Sequence, residues 1–347
     1  MIAKNLETPD SPLNTAGDIW EPNSPRGYSS GRRLAARLSP RNIGAVYLLA
    51  LLIIIFSIWA PGLFFSEQTL KNLLNDSAIP ALAALALLIP LACGVFDLSF
   101  GAVIGFAGIL CAWLLGHGVE SAVTAALITL AMCLVIGLIN ALVVVVIGID
   151  SFIGTLATGA LVLAVTTGIS GNLILSDGVL ASGLPSLAIT RIFGLQLPVY
   201  FAAALMIVWG VLLEQSVIGR YAYASGLNRE AARLSGVPVR LVRSGSLVIC
   251  SLVAGFAGIV LTAYIGTADP TTGPSYLIPA FAAVFAGATQ FRGGRFNSWG
   301  TVLAVLLLST GSIGLTLAGQ PAWTNQVFLG AALITAVGVS VITRAKV

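Results

Sequence analysis

Three stretches, Ile43 to Ala60, Ala122 to Gly148 and Ser244 to Ile265, run without a single charged residue. Each is about as long as the roughly 20 residues a helix needs to cross a bilayer. Inside lipid every backbone N–H and C=O must be satisfied within the chain, so such runs can only be helices or strands of a closed barrel, and runs this long are helices. The rest of the chain agrees: 57% of it is hydrophobic and 9% charged, where soluble domains average about 25% charged. Apolar segments start near residues 42, 79, 101, 121, 152, 197, 244, 277, 298 and 323. They predict an all-α membrane protein of about ten transmembrane helices over residues 42–347.

The sequence pI near 9.0 would suggest nucleic acid in a soluble chain. Here the placement of the charges explains it. With a cytoplasmic N-terminus and ten spans, all of the 17 Lys and Arg residues except Lys71 and Arg191 fall inside. The positive-inside rule then puts both termini in the cytoplasm of a bacterial cell membrane, and no nucleic-acid partner is called for. Residues 1–41 are rich in Pro, Ser and Asn without apolar periodicity, which predicts a disordered tail whose basic end touches anionic lipid.

Familiar catalytic arrangements are missing. Cys93, Cys111, Cys133 and Cys250 form no C-x-x-C pair, and His117 is the single histidine, so no metal site or triad is expected. The pattern GYSSG at 27–31 mimics a nucleophile elbow but has no strand before it. The three lysines, Lys4, Lys71 and Lys346, do not follow glycine, so the chain has no P-loop. It is not expected to be an enzyme or to carry a cofactor; any ATP and Mg would belong to a partner.

Ionisable residues within apolar sequence are costly and point to function. Asp97 in DLSFG and Asp269 in DPTTG share the pattern D-x-[S/T]-x-G and fall toward opposite sides on the ten-span topology. An inverted repeat with broken helices would produce this pair; a chance recurrence of two helix caps would too. Thr155 and Thr158 share a helix face with Gly159, which suits either a lined pathway or close packing. Gly101 and Gly105 suit packing.

One segment is out of character. GLNREAARLSGVPVRLVR, residues 226–243, holds five charges between two apolar runs. Asn228 is a good N-cap, Glu230 lies in the first turn, Arg233 in the last, and Gly236 and Pro238 stop the helix. Leu227, Ala231 and Leu234 fall on one face. The segment predicts a short amphipathic helix that needs a surface, either the lipid interface or a cytoplasmic partner.

GRYAYASGLNREAARLSGVPV, CGVFDLSFGAVIGFAG, GLINALVVVVIGIDSFIGTLAT and the stretch from AGFAGIVLTAYIG to GGRFNSWGT occur in one order over about residues 45–343. In them the chain resembles ribose-type ABC importer permeases, a group that includes galactose and autoinducer-2 permeases. The resemblance implies a dimer with a second permease chain, cytosolic ATPase subunits and an extracytoplasmic binding protein. It implies import of a monosaccharide or related polyol, with residues 228–236 (Asn228, Glu230, Ala231, Ala232, Arg233, Leu234, Ser235 and Gly236 among them) as the coupling segment. Candidate pathway residues are Asp97, Ser99, Asn140, Phe152, Thr155, Thr158, Asp269 and Thr271. The chain departs from the family's usual acidic pair at Leu277 and Pro279, and introduces Gln290, Phe291 and Arg292. A branched-chain amino-acid permease and an ATP-independent channel or secondary transporter stand as alternatives.

Overall fold

The computed structural model describes residues 40–59, 64, 66–290 and 294–344. Ten apolar helices carry the fold: α1 (Pro40–Trp59), α2 (Glu67–Ala92), α3 (Phe100–Gly116), α4 (Ala122–Ala141), α5 (Ser151–Ser170), α8 (Leu197–Gln215), α11 (Val239–Ile265), α12 (Leu277–Ala288), α13 (Ser298–Leu317) and α14 (Ala322–Arg344). Short helices α6 (Asp177–Ala181), α7 (Leu184–Ile189), α9 (Val217–Leu227) and α10 (Arg229–Leu234) sit between them, with a two-residue hairpin of β1 (Arg191–Ile192) and β2 (Leu195–Gln196). Six helices, among them α4 with its π-helical extension Leu142–Ile147, are long and apolar enough to cross a membrane. In the other four the apolar stretches among the described residues are shorter: Tyr47–Trp59, Phe100–Gly116, Gly273–Ala288 and Ala322–Gly338. The fold is all-α and multi-pass. The expected tail lies outside the described residues, except that Pro40 and Arg41 already belong to α1.

Helix α2 is the centre of the bundle. Seven consecutive residues, Leu82 to Leu88, are completely buried, as befits a helix that is apolar all round. It begins at Glu67 rather than near residue 79, because Ser66 accepts from Thr69 N–H (3.0 Å) and caps it twelve residues upstream. Trp209 of α8 donates to the Leu85 carbonyl (2.9 Å) and fastens that helix to α2. Helix α11 packs through small residues: a Cβ on Gly258 would lie 2.2 Å from the Ile104 carbonyl oxygen of α3. Van der Waals packing of this kind holds helices together where lipid offers no hydrophobic drive.

A repeat is visible in the order of elements. Helix α2, the DLSFG turn, α3 and α4 run 26, 17 and 20 residues. Helix α11, the DPTTG turn, α12 and α13 follow as 27, 12 and 20, the middle helix lengthened by the four-residue 3₁₀ turn Gly273–Tyr276.

Candidate functional site

The chain leaves α2 through a tight stop. Gly94 takes φ +68, a left-handed conformation that favours glycine, and Val95 N–H bonds back to the Pro90 carbonyl (2.9 Å). Extended chain then brings Asp97 and Ser99 into the interior, both fully buried. Asp97 Oδ1 accepts from Ser99 N–H (2.9 Å) and Ser99 Oγ–H (2.6 Å), and Asn140 of α4 donates to Ser99 Oγ (2.7 Å). From α5, Thr155 Oγ1 accepts from Leu98 N–H (2.9 Å) and Ser151 Oγ from Phe96 N–H (3.2 Å). The unwound backbone is thus satisfied by side chains of a neighbouring helix, as non-helical chain at membrane depth requires.

Asp97, Ser99, Asn140 and Thr155 therefore form one connected cluster. Thr158 lies on the same face of α5 but bonds the Gly154 carbonyl of its own helix (3.0 Å). A Cβ on Gly159 would lie 3.2 Å from Ser99 Cα, so this face of α5 packs closely on the break. Phe152 is half exposed and outside the network. Asp97 Oδ2 and Asn140 Oδ1 have no hydrogen-bond partner among the described residues. Buried polar atoms left this way cost about 1–3 kcal/mol each, and the Cys250 thiol of α11 lies beside the Asp97 carboxyl as a weak partner.

Asp269 and Thr271 are placed elsewhere. Asp269 Oδ1 accepts from Thr271 N–H (2.8 Å) and Thr271 Oγ1–H (2.7 Å), the same two-bond turn that Asp97 makes with Ser99. Its backbone is tied by paired bonds between Leu175 and Ala268 (2.9 and 2.8 Å). The glycines that end the two motifs touch: a Cβ on Gly273 would lie 2.3 Å from the Gly101 carbonyl oxygen and 2.4 Å from Gly105 N. The GxxxG spacing of Gly101 and Gly105 is thus used for packing, and the two broken helices start back to back.

The charged segment folds as its sequence predicts, with one correction. Asn228 Oδ1 accepts from Glu230 N–H (3.1 Å) and Ala231 N–H (3.0 Å), capping α10. Gly236 takes φ +82 at the far end. Glu230 and Arg233 pair at 2.5 Å on the exposed side. Hydrogen bonding and the nearby charge of Arg233 hold Glu230 below the ordinary carboxylate value and raise Arg233. That support is present at neutral pH and is lost as pH falls through the lowered Glu230 value. The correction concerns the apolar face. Leu227 closes α9 instead of opening α10, because Asn228 is extended (φ −150). Leu227 and Leu234 are 78% and 77% exposed, Ala231 is exposed too, and only Ala232 is buried. The described residues do not cover this helix's leucines.

The segment meets the bundle at its first residue. A Cβ on Gly226 would lie 2.3 Å from the Ala92 carbonyl oxygen, and one on Gly94 would lie 3.0 Å from Gly226 Cα. Two glycine backbones therefore join the end of α9 to the turn that delivers Asp97. Sequence reasoning missed this contact, since a glycine does not announce what it touches. It also passed over Asp76 of α2, and Arg243 of α11, which is buried with Nη1 unbonded among the described residues. Of the introduced residues, Gln290 is buried and Phe291 and Arg292 lie outside the described residues. The four cysteines are buried free thiols, and among the described residues no group of His, Cys, Asp or Glu is placed to hold a metal ion.

Broken helices packed around a buried polar turn, in a chain of repeated helical spans, define a membrane transport component. The chain belongs to the family described as branched-chain amino acid transport system / permease component, which it matches over residues 69–337. It is 34% identical over 304 residues to the ribose import permease protein RbsC of Bacillus subtilis, covering 86% of this chain and 92% of that one. It is 29% identical over 310 residues to its namesake from Escherichia coli K12 (89% and 96%). The autoinducer 2 import system permease protein LsrD of Photorhabdus laumondii is 31% identical over 313 residues (85% and 92%). The family is one of transport components, not enzymes.

Proposed function

We propose that this chain is the membrane-spanning permease of an ATP-driven importer that carries a monosaccharide or related polyol into the bacterial cytoplasm. The observation that carries the reading is similarity along nearly the whole chain to proteins named for ribose and autoinducer-2 import. That similarity favours a sugar over the branched-chain amino acid in the family's description. In this reading two permease chains, identical or different, sit with cytosolic ATPase subunits that bind ATP and Mg, and receive substrate from an extracytoplasmic binding protein. Both termini face the cytoplasm.

Residues 228–236 dock into the ATPase; the support is an exposed, well-capped helix whose Leu234, with Leu227 just before it, is uncovered among the described residues. Closure of the ATPases then moves α9 and α10, and the Gly226–Gly94 contact passes the motion to the turn holding Asp97. Asp97, Ser99, Asn140, Thr155 and Thr158 from one half, with Asp269 and Thr271 from the other and Phe152 beside them, are the proposed pathway residues. The test is reconstitution with the ATPase and binding protein, measuring ATP-driven uptake of D-ribose against leucine. Glu230→Lys puts a cation at a helix N-terminus, where an acid is favoured by roughly 0.3–1 kcal/mol. Gly236→Val forces a β-branched residue to φ +82. Both are expected to uncouple uptake from ATP hydrolysis. Normal ATPase association and normal uptake in both variants would remove the docking role.

A further inference from the structure

Asp76 stands ten residues into α2 and is exposed, although the helix beyond it is buried from Ser77 through Ile79 and Leu82 to Ala92. Thr69 and Asn72 share its face at seven and four residues before it, a helical spacing. Opposite them α13 presents Ser309, Ser312 and Thr316, again three and four residues apart. The two polar stripes line a groove between the helices. One part, of about 390 Å³, is bounded by Thr69, Asn72, Asp76, Ser312 and Thr316. Through Asp76 and Ser312 it continues into a second cavity of about 200 Å³ that reaches Ser309 and Pro279. The larger part alone falls in the range of roughly 300–1,000 Å³ usual for small-ligand sites.

The polar groups of the groove are set among apolar ones, Ile313 and Leu317 in the first part and Pro80, Val305, Leu308 and Leu329 in the second, the mixture usual for a small-ligand site. The Asp76 carboxylate is also held in place. Tyr264 of α11 donates its hydroxyl to Asp76 Oδ1 (3.1 Å). A carboxyl group offers several acceptor positions, and the Tyr264 bond uses one of them, while Asp76 lines both parts of the groove. Asn72 and the hydroxyls of Thr69, Ser309 and Ser312 add mixed donors and acceptors, and Ser312 is steadied by donating to Asn325 Oδ1 (2.6 Å). No Lys or Arg lines either cavity. Arg191 lies near Tyr264 but outside the lining, so the charge in the groove wall is that of Asp76, which disfavours the carboxylate of an amino acid and any other anion. A neutral molecule with several hydroxyls has donors for the carboxylate and acceptors for the amide and hydroxyls.

We propose that the groove between α2 and α13 is a binding site for the polyhydroxylated substrate, with Asp76 accepting its hydroxyls and Tyr264 positioning Asp76. This rests on the importer reading above, and it adds a site that neither Asp motif contains. The test uses Ser309→Cys in nanodiscs, where a hydrophilic methanethiosulfonate reaches both faces. The native cysteines are all buried, so the background is low. Saturating D-ribose, D-xylose or D-allose is expected to slow labelling at least threefold for one sugar, and leucine not at all. Asp76→Asn is expected to abolish that protection and to lower ATP-driven uptake at least tenfold at matched amounts of assembled complex, with Asp76→Glu recovering part of it. Sugar-independent labelling together with normal uptake in Asp76→Asn would overturn the proposal while leaving the importer reading intact. So would a Ser309→Cys thiol that stays unreactive in the assembled complex, since a second chain would then fill the groove. If the unaltered complex takes up none of these sugars, the importer reading fails first and the groove proposal falls with it.

Discussion

Gly226→Ala is a one-carbon change whose effect can be worked from the structure. The new Cβ would lie 2.3 Å from the Ala92 carbonyl oxygen, 3.1 Å from Gly94 N and 3.2 Å from the Ala92 carbonyl carbon. Ordinary contact begins at 3.4 Å, so the end of α9 and the stop of α2 have to part by about 1 Å. All three obstructing atoms are backbone, and α2 cannot retreat because Leu82 to Leu88 are fully buried. Overpacking of this kind costs about 1–3 kcal/mol. The strain falls between the charged segment and the Asp97 turn, so two effects are expected. The thermal midpoint of the purified permease should fall by several degrees. ATP-driven uptake in the reconstituted importer should fall at least fivefold at matched protein, with ATPase association retained because α10 is untouched. Gly245→Ala is the control: it lies in α11 with nothing within 4 Å of its Cβ position and no positive φ, and helical Gly→Ala is neutral or mildly stabilising. Identical melting and uptake for Gly226→Ala and Gly245→Ala would refute the reasoning.

Asp97→Ala removes both bonds that hold Ser99, a loss of about 0.5–2 kcal/mol by analogy with capping side chains, and should impair uptake per folded molecule far more than Glu120→Ala, which alters an exposed turn residue; equal uptake in the two would remove the reason for singling out Asp97. For orientation, cysteines at Ser235 and Leu173, both exposed, should react with an impermeant maleimide from opposite faces of sealed vesicles, Ser235→Cys from the cytoplasmic face. Reaction of both from one face would contradict the ten-span topology drawn from the basic residues.

The features legible in the sequence are those set by one or a few neighbouring residues. Charge-free runs of spanning length gave helices, Asn228 capped α10, and Gly236 took the left-handed position because a stop before Pro238 needs it. The D-x-[S/T]-x-G pattern folded the same way twice, since its two bonds are local to the motif. Features that depend on where distant segments meet were not legible. Asp76 goes unnoticed in the sequence because nothing local shows that Ser309 and Ser312, over two hundred residues on, form the opposite wall. The Leu227–Ala231–Leu234 face was misread for the converse reason: periodicity was extended across Asn228, although a residue that caps one helix has to end the one before it.

The same distinction explains why glycines carry so much of the tertiary logic. Gly94 with Gly226, Gly101 with Gly273, and Gly258 with Ile104 each bring backbone against backbone where a single methyl group does not fit. Such contacts have no compressible side chain between them, and packed interiors transmit strain instead of absorbing it. The end of α9 meets the turn before the first Asp motif through Gly226 and Gly94, and the second motif packs on the helix that follows the first through Gly273 against Gly101 and Gly105 and through Pro270 against Gly105. The buried Asp97 cluster lies between these two close approaches in the chain. Asp97 sits beside the Cys250 thiol of α11, in a stretch whose backbone is held by Ser151 and Thr155 of a different helix. The break is thus fixed from α5 and pressed from α9, so relative movement of those two helices has to change the geometry at Asp97.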